Sequence, residues 1–232
     1  MDKKTLGIIG GMGPLATVEL FRKLVTLTRA QSDREHIHIL VDNFPQVPDR
    51  TASILDGGES PVPYILEAGG RLVQSGAELL LLPCNTSHYY YGEIASRLPV
   101  PLLNMLELTA LHLQKEGVHQ VGLLATDGTI KTRVFEKALA EVGIRTLLPD
   151  EYGQKTVMDV IYLQVKAGKP TDRAALERVL DKLRARGADR IVLGCTELPL
   201  AFDGALPEDL VDPAHLLAVE AIRAAGYQTV LD

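Results

Sequence analysis

The sequence predicts an α/β protein made of two similar α/β domains, each a mainly parallel sheet flanked by helices, related by pseudo-twofold symmetry. Two observations predict it. Short β-rich runs alternate with amphipathic helical stretches along the whole chain, the pattern of parallel strands joined by helical crossovers. One stretch of that pattern also recurs 111 residues later, counted from Cys84 to Cys195.

Taken in order, Leu6–Ile9 reads as a first strand running into Gly10-Gly11-Met12-Gly13-Pro14. The glycines suit a tight turn and Pro14 suits the first helical position, so a helix is expected to about Arg29. His36–Val41 reads as the second strand, and Asp42–Thr51, with Pro45 and Pro48, as a loop. Helical patterns follow at 61–75 and 88–97, separated by the apolar run Glu78–Leu82, which reads as a strand buried on both faces. Val100–Leu103 is expected to close the first set.

The second half repeats the plan. Gln120–Leu124 leads through Ala125-Thr126-Asp127-Gly128-Thr129 to a helix around Arg133–Val142. Gly76-Ala77-Glu78, four leucines and Pro83-Cys84-Asn85 then match Gly187-Ala188-Asp189, Arg190-Ile191-Val192-Leu193 and Gly194-Cys195-Thr196. Asp209–Val211 before Asp212 parallels Val100–Leu103 before Asn104, each leading into a helix. The expected division is 1–103 plus 212–232 for one domain and 104–211 for the other. Ligands of open α/β sheets bind outside the carboxyl ends of the strands, where both cysteines fall. If the two units are related by a pseudo-twofold axis, those edges face one another across an interdomain cleft, where the active site is expected.

Composition removes several classes of function. Of 232 residues, 46% are hydrophobic and 23% charged, as in ordinary globular chains. The net charge is −6 and lysine and arginine form no stripe, so no nucleic-acid partner is expected. No apolar run approaches the length that spans a bilayer, so no membrane association is expected, and the charged start enters its glycine turn without a signal-peptide core. A cytoplasmic location follows, in which Cys84 and Cys195, the two cysteines, stay reduced.

Each cysteine is followed by small polar residues at an expected helix start, Asn85-Thr86-Ser87 after the first and Thr196-Glu197 after the second. Backbone N–H groups there are expected to lower the thiol pKa toward neutrality. Two thiols at equivalent places of a duplicated fold suit a symmetric task, and racemisation is one: a thiolate removes the α-proton from one face while a thiol supplies one to the other. Against this stands inert packing, the common fate of a buried cysteine, or a disulfide.

Gly-Gly-Met-Gly-Pro at 10–14, Phe-Pro-Gln-Val-Pro-Asp-Arg-Thr at 44–51, Pro-Cys-Asn-Thr-Ser-His at 83–88 and Gly-Cys-Thr-Glu-Leu-Pro at 194–199 together resemble the cofactor-independent aspartate/glutamate racemase family. The resemblance runs the length of the chain. It implies a two-base mechanism independent of pyridoxal phosphate, no cofactor or metal, an amino-acid substrate and commonly a homodimer. Some relatives replace one cysteine by threonine; both are present here. It further implies that Arg50 holds a substrate side-chain carboxylate, a task suited to a bidentate guanidinium, with Lys166 assisting. Otherwise each is a solvated surface charge. Asn85, Thr86 and Ser87 are expected at the substrate α-carboxylate, with Thr126 and Thr196 from the second domain and Met12 from the glycine turn; helix capping is the alternative for the hydroxyl and amide groups. Glu197 and His88 either tune the cysteines or serve as surface or capping residues.

Three other readings stand beside this one. Gly11-x-Gly13-x-x-Ala16 after a strand, with Asp42 ending the next, approaches a dinucleotide fingerprint and would suit a nucleotide-binding oxidoreductase, although Pro14 sits where the pyrophosphate would approach. Two α/β lobes also describe an amino-acid binding module. Within the enzymes, broad-specificity racemases, decarboxylases and maleate isomerases share similar folds and cysteines.

Overall fold

The fold is described from a computed structural model over residues 3–202 and 204–232. Met1 and Asp2, where the charged N-terminal run begins, lie outside those residues. The chain divides into two compact units, Met1–Met105 with Ala214–Asp232, and Leu106–Pro213.

In the first unit β1 (Leu6–Gly10) enters α1 (Pro14–Leu27), with Pro14 in the first turn and Gly13 as N-cap. β2 (Ile39–Asn43), α2 (Arg50–Leu55), α3 (Val62–Gln74), β3 (Leu79–Leu81) and α4 (Tyr91–Arg97) follow. The sheet order is β2-β1-β3, all parallel. β1 and β3 are buried throughout, and Ile9, Ile65, Leu80, Leu82 and Ile94 join the core on which α3 and α4 pack. β1 and β3 are covered on both faces, which is why these two read as unbroken apolar runs, while β2 stays partly exposed.

Four expectations need correction here. β2 begins three residues later than expected because Asp33–Glu35 form a 3-10 turn that His36 closes. Asp42 and Asn43 then belong to the β2 ladder, opposite Ile9 and Gly10. The expected loop ends early too: Asp49 accepts from the Ala52 N–H at 2.9 Å and starts α2 at Arg50. The helix expected from residue 88 is a 3-10 turn, Thr86–Tyr90, before α4. Val100–Leu103 makes only one bridge, Leu80 to Leu102, since Pro101 has no N–H to give to a ladder.

The second unit takes α5 (Met105–Lys115) from Leu106 onward and continues through β4 (Gln120–Leu124), α6 (Asp127–Thr132), α7 (Val134–Glu141), β5 (Arg145–Leu147), α8 (Glu151–Met158), α9 (Arg173–Ala185), β6 (Arg190–Leu193) and β7 (Leu210–Val211). Its parallel sheet runs β5-β4-β6-β7. The correspondence with β2-β1-β3 and the Leu102 bridge is strand for strand. The core gathers Val157, Ile161, Leu180, Leu183, Ile191 and Leu193. Arg133, with φ 55°, separates α6 from α7; α7 is the helix expected around Arg133–Val142, while α6 begins at Asp127, where only a turn was expected. α8 is followed by a π-helical segment, Asp159–Val165, that Lys166 caps. Finally α10 (Pro213–Ala224) completes the first unit, with Leu217 and Ile222 fully buried.

The fingerprint residues of the nucleotide reading are occupied structurally. Gly11 has φ +95°, and a Cβ there would stand 2.3 Å from the Phe44 backbone, so its glycine serves a close approach of chain to chain. Asp42 accepts from Arg71 Nε at 2.7 Å.

Candidate active site

In the first unit the Cys84 thiol follows β3 directly and is 5% exposed. The next residues turn sharply: Asn85 precedes the five-residue 3-10 turn, and no side-chain bond caps it. Asn85 is itself buried, and neither its amide nitrogen nor its amide oxygen meets a hydrogen-bond partner. The capping alternative therefore fails for Asn85. A buried amide left this way costs roughly 1–3 kcal/mol. Thr86 and Ser87 are buried beside it, and the Ser87 hydroxyl donates to the Met12 sulfur at 3.6 Å.

His88 is buried one helical turn beyond Cys84. Its Nδ1 lies 2.9 Å from the Cys84 carbonyl oxygen, and its Nε2 accepts from the Met105 N–H at 3.1 Å. With Nε2 as acceptor, Nδ1 carries the proton and donates to Cys84. Burial pushes the imidazole pKa down to about 4, against its hydrogen bonds at Cys84 and Leu103, so the ring is neutral near pH 7. Stacking on Tyr91, with centroids 5.8 Å apart, holds its plane. His88 thus ties Cys84 to Met105 and is no surface residue.

Arg50 is also buried, at 6% exposure, so the solvated-charge alternative fails. Its Nη1 donates to the carbonyls of Val47 (3.2 Å) and Pro48 (2.9 Å), and its Nη2 to that of Met12 (3.2 Å). These bonds join the glycine turn, the 44–49 loop and α2.

In the second unit Thr126 caps α6, accepting from the Thr129 N–H at 3.3 Å. Gln154, which sequence reasoning missed, donates to Ala125 O (3.0 Å) and Asp127 Oδ1 (2.7 Å) and so holds the turn carrying Thr126. Cys195 follows β6 and is 7% exposed. Its Sγ donates to Glu197 Oε2 at 3.0 Å, and the Thr196 hydroxyl donates to the same oxygen at 3.2 Å. Glu197 is 3% exposed, which removes the surface reading for it. Lys166 Nζ lies 4.0 Å from the other carboxylate oxygen and 4.7 Å above the Tyr162 ring.

The expectation of thiols acidified by helix termini is overturned at Cys195. Burial pushes that thiol pKa well above its ordinary value, and the Glu197 charge pushes the same way, with Lys166 opposing. The helices expected to start at the cysteines are short 3-10 turns, Thr86–Tyr90 and Leu198–Ala201, which align few peptide dipoles. Both cysteines are free, so the disulfide alternative fails as well. Among the described residues no group of three or more His, Cys, Asp or Glu side chains is placed to hold a metal ion. Nor is any helix among them long and apolar enough to cross a membrane.

Comparison with known proteins gives this geometry its setting. An aspartate racemase from Picrophilus torridus superposes with a TM-score of 0.87 at 33% identity, over 97% of this chain and 96% of that one. A broad-specificity amino-acid racemase from Bacillus subtilis (strain 168) is 28% identical over 97% of this chain and all of its own length. The glutamate racemase of Francisella tularensis subsp. tularensis shares the fold at 14% identity, with a TM-score of 0.66 over 97% of this chain and 81% of that one. The sequence profile of the Asp/Glu/Hydantoin racemase family matches residues 9–221. With its parallel sheets and a thiol after β3 and after β6, the chain belongs to the Asp/Glu/Hydantoin racemase family and is an isomerase of the aspartate/glutamate racemase type.

Proposed function

We propose that this racemase interconverts L- and D-aspartate, with glutamate as a further candidate, through Cys84 and Cys195 acting on opposite faces of the α-carbon and with no pyridoxal phosphate. The observation that carries the reading is the equivalence of two free, buried thiols at the carboxyl ends of matching strands. One sulfur takes the α-proton as thiolate, the other delivers a proton as thiol, and the roles exchange in the reverse direction. Cys195, whose proton is held by burial and by Glu197, fits the donor in the resting enzyme.

Removing the α-proton places charge on the substrate carboxylate, which preorganised donors stabilise. The unpaired Asn85 amide suits that role best, with Thr86, Ser87, Thr126 and Thr196 beside it and Met12 shaping the pocket. Arg50, and Lys166 with it, supports an acidic side chain in the substrate. Broad specificity is the second reading. It is favoured by the full-length similarity to the Bacillus racemase, and by the bonds that commit Arg50 to backbone carbonyls.

A homodimer and a cytoplasmic location complete the proposal. Two free thiols suit a reducing compartment. α1 buries Ala16, Thr17, Leu20 and Leu24 but leaves Leu15, Val18, Phe21 and Val25 exposed on a separate arc, bordered by Glu19, Arg22 and Lys23. An antiparallel crossing of two such helices covers both stripes and sets the Glu19 of each toward the Arg22 and Lys23 of the other.

Incubation with single L-amino acids in D₂O tests the chemistry by loss of the α-proton signal. Exchange with L-aspartate and none with L-alanine is the expected result, and replacing either cysteine by alanine should cut racemisation by about 100-fold or more. Exchange across many neutral amino acids would establish the broad reading, and full activity in either cysteine variant would overturn the two-thiol mechanism.

A further inference from the structure

We infer that Gln154 holds the substrate ammonium through its Oε1 atom. The inference deepens the function proposed above and rests on it, since it assigns the polar group of the amino acid for which that reading names no partner.

A racemase removes and returns the α-hydrogen while the other three substituents of the α-carbon stay on the protein, which keeps the reacting atoms aligned. In the proposed reading the carboxylate has the donors around Asn85, and an acidic side chain has Arg50 and Lys166. The third substituent is an ammonium, which carries three donor hydrogens and needs acceptors. Glu197 is engaged elsewhere: its Oε2 accepts from Cys195 and Thr196, and its Oε1 faces Lys166 at 4.0 Å.

Gln154 offers an acceptor. Its Nε2 donates to the Ala125 carbonyl at 3.0 Å and to Asp127 Oδ1 at 2.7 Å. Both amide hydrogens are thereby used and the orientation of the group is set, with Oε1 on the other side as an acceptor alone. Oε1 is buried and meets no hydrogen-bond partner among the described residues, a state uncommon enough in folded proteins to call for an explanation. The chain holds the amide in place. Asp150 accepts from the Gly153 N–H at 2.7 Å to start α8, the Gln154 N–H donates to the Asp150 carbonyl at 2.8 Å, and Val157 anchors the helix in the core.

Its position suits the ammonium of a substrate whose α-carbon lies against Cys195. β4 and β6 are adjacent, with Leu124 opposite Leu193, so the turn at Ala125 and the thiol leave the sheet side by side, about 4.8 Å apart in strand spacing. Gly194 keeps them close, since a Cβ there would stand 3.1 Å from the Leu124 carbonyl oxygen and 3.2 Å from Ala125 Cβ. Thr126, a candidate donor to the carboxylate, lies between the two residues that Gln154 ties together. A carboxylate and an ammonium on one α-carbon need such neighbouring partners. Asp127, bonded to the same amide, adds a negative potential suited to a cation. An ammonium held there also stabilises the negative charge that forms on the α-carbon when its proton leaves.

Succinate is aspartate without the ammonium, so the ratio of the two dissociation constants reports what the ammonium contributes. Titration calorimetry on the full-length protein gives both, with racemic aspartate used because racemisation leaves its composition unchanged. The parent should bind aspartate about tenfold or more tighter than succinate, the worth of a hydrogen bond to a charged group. Gln154→Lys keeps donors for Ala125 and Asp127 but removes the acceptor and adds a like charge. It should weaken aspartate about tenfold or more while succinate binds within about twofold of the parent or tighter. Gln154→Met removes donors and acceptor together and should lower the ratio too, so it decides the question if the lysine variant does not fold.

Equal weakening of both ligands in the variants, the result of a turn that merely shifts, would overturn the assignment, as would a parent that binds succinate as tightly as aspartate. Binding needs no proton transfer. Full α-proton exchange with an unchanged ratio would therefore remove this assignment alone, and a lowered ratio without exchange would remove the two-thiol mechanism alone.

Discussion

His88 shows what a single buried titratable group does to this molecule. Its imidazole is neutral when folded, with a pKa of about 4 against an ordinary 6.5, so between those values the unfolded chain binds a proton that the folded chain does not. Stability contributed by neutral His88 is complete above pH 6.5 and is lost as the pH falls through that window to 4, by up to about 3 kcal/mol at 1.36 kcal/mol per unit. Replacing His88 by glutamine removes the titration, and thermal melts between pH 7 and pH 4.5, roughly the window in which the imidazole responds, should fall less steeply than in the parent. Equal slopes would show that the loss at acid pH comes from other groups. At this scale the motifs named residue types, and the structure shows their local settings: Cys84 and Cys195 buried after β3 and β6, Arg50 buried on backbone carbonyls, and Lys166 4.0 Å from Glu197. The sequence was not legible where the role depends on depth. Glu197 and His88 look the same in a sequence whether solvated or buried, and only burial at 3% makes each a partner of a cysteine residue.

Secondary-structure elements that follow from covalent rules were the ones the sequence could place. β4 matches its expected bounds, and Pro14 starts α1 where its fixed φ allows. Val100–Leu103 failed for the complementary reason, since apolar content suggests a strand but Pro101 denies the ladder its donor. No element was read between residues 143 and 186, although Asp150 and Asp172 both accept N-cap bonds, at 2.7 Å from Gly153 and 2.9 Å from Ala175. The caps were readable; the three-residue β5 and the π-helical segment, too short or too irregular for a periodic signal, were not. α1 carries the prediction at this scale. Val18, 58% exposed, sits near the middle of its uncovered stripe, so Val18→Glu places a charge there without touching the buried face. Light scattering should give the parent a dimer mass and the variant a monomer mass, with an unchanged circular dichroism spectrum. A variant of undiminished mass, or a monomeric parent, would remove α1 as the contact surface.

For the whole molecule the decisive feature is that one sheet plan is written twice while one of its copies is written discontinuously. The orders β2-β1-β3 and β5-β4-β6-β7 place each cysteine after the strand beside the first of its unit, which is why a spacing of 111 residues between Cys84 and Cys195 was enough to locate both. The first unit, however, takes residues 214–232 from the far end of the chain. There Leu217, Ala218, Ala221 and Ile222 are fully buried, the Lys4 and Arg29 N–H groups donate to Ala225 and Gln228, and Thr28 bridges Thr229. Burying leucine and isoleucine side chains contributes about 1.5–3 kcal/mol each, and with the lost backbone bonds this approaches the 5–15 kcal/mol that holds a whole domain. The second unit draws nothing from that segment for its own core of Val157, Ile161, Leu180, Leu183, Ile191 and Leu193. Ending the chain at Pro213 should therefore abolish hydrogen-exchange protection in β1 and β3 while amides of β4 and β6 keep theirs. Loss in both sheets together would mean that the two cores fold as one cooperative body, and protection retained in β1 and β3 would mean that the returning helix is dispensable to its unit.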